Sequence, residues 1–134
     1  MIRAVLAAAW LIGAAGAAGA APLTLRCGLT EAPPGGAIAG PLQLTLDPDR
    51  GTARVADPLT RFYAGGPVTA ELRRDGTGWR LSWRLSGVQR AGQAPQTLVY
   101  SAHLQGGALK ISVHSQHAGA ALRARGQCWP QGRP

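Results

Sequence analysis

The stretch VTAELRRDGTGWRLSWRL, residues 68–85, decides how this chain folds. Val68, Ala70 and Leu72 alternate with polar residues ahead of Asp75-Gly76, and Trp79, Leu81, Trp83 and Leu85 alternate with Arg80, Ser82 and Arg84 behind it. Period-two alternation sorts side chains onto the two faces of a strand. Asp75-Gly76 reads as a two-residue hairpin loop, since both residues tolerate positive φ. On that loop Leu72 faces Trp79, Ala70 faces Leu81 and Val68 faces Trp83, while Glu71 sits across from Arg80 on the other side. A second stretch, YSAHLQGGALKISV (100–113), behaves alike. About Gly106-Gly107, Leu104 faces Leu109, Ala102 faces Ile111 and Tyr100 faces Val113. A one-residue slip at either turn would send the apolar set to the wrong face. The pattern predicts an antiparallel meander.

The same alternation runs outward in both directions. Leu23, Leu25, Cys27 and Leu29 share one side of a first strand, and Leu42, Leu44 and Leu46 one side of a second. Ala53 and Val55 mark a short third, and Leu122, Ala124 and Cys128 the last. Asp47-Pro48-Asp49-Arg50-Gly51 has the composition of a hairpin turn. Glycine or proline interrupts nearly every window after Ala21, so no helical period is expected there. The expected fold is all-β: about eight strands of roughly five to eight residues in a closed or nearly closed barrel. A two-sheet β-sandwich is the alternative. Cys27 and Cys128 share the inward parity of the first and last strands, so a disulfide between them would tie the ends of the meander. Closing a loop of about 100 residues contributes on the order of 4–5 kcal/mol.

Residues 1–20 read as a cleaved secretory signal peptide. Arg3 gives the basic start, Ala4 to Ala17 the apolar run, and Ala18-Gly19-Ala20 the small-residue cleavage pattern. Gly13, Gly16 and Gly19 leave the run too weakly apolar for a stable membrane span. Arg26, directly before Cys27, does not suit lipid attachment. Removing 20 of the 134 residues leaves 114, a single domain over 21–134 with a short flexible C-terminal tail. A periplasmic or secreted location follows, where two cysteines read as a disulfide. An outer-membrane barrel would need strands of about 9–11 residues and girdles of aromatics. After residue 20 the chain holds only Phe62, Tyr63, Tyr100, Trp79, Trp83 and Trp129, so a membrane-spanning protein is not expected.

Without Arg3, 13 basic residues face 6 acidic ones, a net charge of about +7. Adjacent strands seven, eight and one would gather Lys110, Arg123, Arg125 and Arg26 on the outer face. Such a patch suits an anionic envelope component, or another envelope protein, as partner. The competing reading is a solvated face whose arginines reflect codon usage and aid solubility. Segment 57–67 reads as a loop, with Arg61-Phe62-Tyr63 either an exposed recognition tip or a cap on the core. Trp79, Trp83 and Tyr100 stand among inward leucines. They are either the wall of a ligand cavity, as in lipocalin-like carriers, or the filling of an eight-stranded interior.

Catalytic and metal readings fail on geometry. By the Gly106-Gly107 register His114 faces position 99, about 13 Å along the strand from His103, too far for one ion. No carboxylate stands where it would orient His103 beside Ser101. No enzyme activity, cofactor or metal is expected, and the compartment disfavours nucleic acid. Thr60-Arg61-Phe62-Tyr63-Ala64-Gly65 can be set beside small periplasmic lysozyme inhibitors, barrels with an early and a late cysteine and a Ser/Gly-rich loop ending in tyrosine. The tyrosine and glycine resemble that loop but the serines are missing, so membership is not assigned. The expected function is a non-enzymatic binding or accessory module of the cell envelope, acting through the basic outer face and segment 57–67. The alternatives are a carrier of a small apolar ligand and a periplasmic inhibitor of an envelope enzyme. Neither the partner nor the oligomeric state is specified by the sequence.

Overall fold

A computed structural model describes residues 21–89, 92–116 and 118–131; residues 1–20, on which the signal-peptide expectation falls, Arg90, Ala91, His117 and the last three residues lie outside the described residues. Eight antiparallel strands close into a barrel in simple sequence order. They are β1 (Leu23–Glu31), β2 (Leu42–Asp47), β3 (Thr52–Ala56), β4 (Val68–Asp75), β5 (Gly78–Val88), β6 (Gln96–Gln105), β7 (Ala108–Ser115) and β8 (Ala118–Pro130). A helix, α1 (Pro58–Ala64), joins β3 to β4. Closure settles barrel against sandwich. Cys27 stands directly opposite Cys128 in the β1–β8 ladder, and the two are joined by the expected disulfide.

Alternation does what the sequence pattern dictates. Leu42, Leu44 and Leu46 on β2, Leu81 and Leu85 on β5, and Leu109, Ile111 and Val113 on β7 all point inward and are buried. Arg73, Arg80, Arg84, Lys110, Arg123 and Arg125 point outward and are exposed. This polarity is the reverse of a lipid-facing barrel, which carries its apolar band outside. Among the described residues no helix is long and apolar enough to cross a membrane. Four strands exceed the expected length: β1 has 9 residues, β6 has 10, β5 has 11 and β8 has 13. Alternation by itself marks where a strand's apolar positions end, while hydrogen-bonded pairing continues past them into Gly- and Gln-bearing ends.

Two hairpins test the turn assignments. Gly106-Gly107 is the loop between β6 and β7, both residues at positive φ, and the three expected facing pairs are all present. The β4–β5 hairpin differs. Asp75 pairs with Gly78, so the loop is Gly76-Thr77, with glycine at positive φ in its first position. Leu72 therefore faces Leu81, Glu71 faces Ser82 and Arg73 faces Arg80. A shift of two keeps every side chain on its face, so alternation cannot detect it. Gly78, which follows the turn, must itself be glycine, since a Cβ there would collide with the carbonyl of Leu104 on β6.

The barrel has two unlike ends. At one, tight turns join β2 to β3, β4 to β5 and β6 to β7. At the other lie the long connections, and two of them enclose the core. Ala37 and Ile38, from the segment between β1 and β2, are buried at 3% exposure each, and the Ala37 carbonyl accepts a 2.7 Å hydrogen bond from the Tyr100 hydroxyl. Segment 57–67 is helical rather than a loop. Asp57 caps α1 by accepting from the Thr60 N–H at 2.7 Å, the Thr60 hydroxyl accepts from the Asp57 N–H at 3.0 Å, Pro58 opens the first turn and Gly65 ends it in the left-handed conformation.

Candidate functional site

The hydrogen-bonded register carries the outward cations into one row. Arg73 on β4 faces Arg80 on β5, Arg80 faces His103 on β6, His103 faces Lys110 on β7, and Lys110 faces Arg125 on β8. Neighbouring strands lie about 4.8 Å apart, so the row spans about 19 Å of the barrel's circumference. A second row lies alongside it: Glu71, Ser82, Ser101, Ser112 and Arg123. Small serines flanked by long cationic side chains leave a depression. Arg80, His103, Lys110, Arg123 and Arg125 wall an open groove of about 380 Å³, and Ser101 and Ser112 lie within it.

Its charge is balanced on one side only. Asp75 lies 2.9 Å from the Arg80 guanidinium and 3.4 Å from His103 Nε2, so a carboxylate does stand beside His103, contrary to the sequence reading, because the β4–β5 turn projects Asp75 over the neighbouring strands. The hydrogen bond and charge of Arg80, with His103 adding to them, hold the Asp75 carboxyl below the ordinary aspartate range. Arg73 is 3.6 Å from Glu71. On the other flank Lys110, Arg123 and Arg125 form no ion pair among the described residues, not even Arg125 with Glu31 across from it on β1, although Lys110 and Arg125 stand directly opposite one another. Like charges in that position destabilise a sheet.

The sequence-derived surface is thus brought together in part. Lys110, Arg123 and Arg125 meet as expected. Arg26 does not join them: it faces Trp129, four residues along β8 from Arg125, about 13 Å away. A bulge in the β1–β8 ladder sets Glu31 opposite Arg125 instead. Arg80 and His103 belong to the groove and were missed as members of it, because their place depends on β5 and β6 lying beside β7. That order was legible, but charge alone does not weigh a histidine.

Arg61-Phe62-Tyr63 divides between its two readings. Phe62 is 79% exposed and Arg61 is exposed, whereas Tyr63 and Leu59 pack on the core and the Tyr63 hydroxyl donates to the Gln89 carbonyl at 3.2 Å. This turn of helix is at the far end of the barrel from the cationic row, about 25 Å along β5. At its cap, burial pushes the Asp57 carboxyl above the ordinary aspartate range, against the Thr60 hydrogen bonds that lower it.

The three inward aromatics also separate. Trp83 and Tyr100 face each other across β5 and β6 and stack with centroids 5.1 Å apart, at 4% and 2% exposure. The Trp83 indole N–H has no hydrogen-bond partner among the described residues. Trp79 lies nearer the tight-turn end, half-buried, with the Arg74 guanidinium 4.5 Å above its ring. Among the described residues no group of three or more His, Cys, Asp or Glu side chains is placed to hold a metal ion. Compared with known proteins, the chain matches no family model, and it is significantly similar to no curated protein and no solved structure.

Proposed function

We propose that this protein is an exported, non-enzymatic binding module of the cell envelope that holds an anionic partner in the β5–β8 groove. One observation carries the reading: Lys110 and Arg125 face each other beside Arg123, and of these three only Arg125 has a carboxylate across the sheet, Glu31, with which no ion pair forms among the described residues. A fold that keeps such a juxtaposition retains a standing repulsion that an anion would relieve. The Ser101 and Ser112 hydroxyls add neutral donors between the cations, suited to phosphate or sulfate oxygens. The disulfide is compatible with an oxidising periplasmic or extracellular setting. Arg61 and Phe62 of α1, at the other end, would form a separate contact rather than extend this one.

The carrier alternative has less support, since Trp83 and Tyr100 pack against one another inside the barrel. The inhibitor alternative rested on 60–65 as a loop, and most of that stretch is helix.

Co-sedimentation of the oxidised protein with vesicles of phosphatidylglycerol or of phosphatidylcholine, at low and raised salt, tests the proposal. Binding is expected on the anionic vesicles alone, falling as salt rises. At about 1 kcal/mol per basic residue near an anionic surface, the variant K110E/R123E/R125E should lose at least a hundredfold. Equal binding to both vesicles, or undiminished binding by that variant, would refute it.

A further inference from the structure

The groove and the tight-turn end of the barrel share a wall. Trp79 and Leu104 line a recess at that end, while their chain neighbours Arg80 and His103 line the groove outside. The recess encloses about 270 Å³ and is walled chiefly by Leu23, Leu25, Leu46, Trp79 and Leu104. That is just below the usual range for small-molecule sites, so it suits one alkyl chain rather than a bulky body. Gly106-Gly107 of the β6–β7 turn forms a lip of the recess without side chains, and the two strands it joins lead from there to His103 and Lys110 of the groove. From this lip to His103 and Lys110 is three residues of strand, about 10 Å. Arg74, over the ring of Trp79, places a further cation beside the recess.

An apolar recess and a row of cations within about 10 Å of each other make complementary demands on a ligand. A small free anion leaves the recess unused, and a neutral apolar molecule leaves the cations unsatisfied. Only an amphiphile with an anionic head satisfies both.

We propose that the groove and the recess together bind a single-chain amphiphile whose phosphate-bearing head is net anionic. The phosphate sits among Lys110, Arg123 and Arg125, with the Ser101 and Ser112 hydroxyls as additional donors. The chain crosses the glycine lip and lies against Trp79 and Leu104. This inference rests on the groove reading and adds the recess to it.

Isothermal titration of the oxidised protein tests it with three probes: lysophosphatidylglycerol below its micelle-forming concentration, its deacylated headgroup glycerophosphoglycerol, and lysophosphatidylcholine. Lysophosphatidylglycerol should bind at least about tenfold tighter than glycerophosphoglycerol, a difference that burial of two methylenes already supplies. Leu23 is 46% exposed, so L23D should fold, and it should bring the lipid down to the affinity of its headgroup. K110E/R125E should abolish binding of both. If lipid and headgroup bind equally and L23D changes nothing, the recess has no part and the groove reading alone survives. Equal affinity for lysophosphatidylcholine, or lipid binding untouched by K110E/R125E, overturns the groove reading as well. So does the absence of binding by both anionic probes.

Discussion

The two ends of the barrel solve the same problem in opposite ways. Each must finish a core of inward leucines where the strands stop. At the long-connection end Ala37 and Ile38 fold inward, the Tyr100 hydroxyl is anchored on the Ala37 carbonyl, and Leu59 and Tyr63 of α1 pack across the rim. At the tight-turn end the loops are too short to reach over anything, so Trp79 stays half-buried and Leu23 is 46% exposed. The contrast teaches that the connections, rather than the strands, decide which part of this barrel is sealed and which is available.

That contrast can be broken or sharpened experimentally, starting from the largest effect. Replacing both cysteines, Cys27→Ala with Cys128→Ala, removes a link between residues 101 apart. It should lower the unfolding free energy by about 4–5 kcal/mol in a denaturant titration. Both ends should lose hydrogen-exchange protection together; loss at one end alone would show that they unfold independently. Next, Ile38→Ala should cost about 2–5 kcal/mol as a buried core truncation, whereas Leu23→Ala should stay within about 0.5 kcal/mol. Equal costs would erase the distinction between a sealed and an open end. Tyr100→Phe should cost about 1–2 kcal/mol, because it leaves the Ala37 carbonyl buried without its donor. A neutral result would mean that the 32–41 segment is not held by that bond.

The smallest effect is electrostatic, and its sign differs between the ends. Asp57, with its carboxyl raised by burial, favours the fold while protonated, and that contribution fades as pH rises through its folded pKa. Asp75 is lowered by Arg80, so its contribution is present above the ordinary aspartate value of 3.8 and is lost as pH falls through the folded pKa. Between about pH 3 and pH 7, Asp57→Asn should therefore gain stability relative to the parent as pH rises, and Asp75→Asn should lose it. Thermal melts across that range read both slopes. Slopes of the same sign would contradict the two environments described here.

The strands and their closure were readable because a period of two survives any amount of Gly and Pro in the connections. The β4–β5 register was not, since moving from Asp75-Gly76 to Gly76-Thr77 changes no face. Helix α1 left a signal in Asp57-Pro58 followed by Thr60, with Leu59 and Tyr63 four apart, but seven residues are too few to show a period. The role of Ala37 and Ile38 had none, as a small and a β-branched residue in a Gly/Pro-rich stretch look the same plugging a barrel or crossing its surface. Half of the cationic groove was visible in Lys110, Arg123 and Arg125. Its other half, Arg80 and His103, required the lateral register, and the displacement of Arg26 follows from the register that pairs Cys27 with Cys128 and so sets Arg26 opposite Trp129.

The pairing of β1 with β8 has a consequence for how the chain is written. Leu25 lies opposite Pro130 and the Gln131 N–H donates to the Thr24 carbonyl, so both ends of the folded chain meet at one rim. Once that seam is hydrogen-bonded and cross-linked, the polypeptide is close to a ring whose opening sits where it does by history. A short linker between the ends, with the chain reopened at the exposed 48–51 turn, would give a permuted order of the same eight strands.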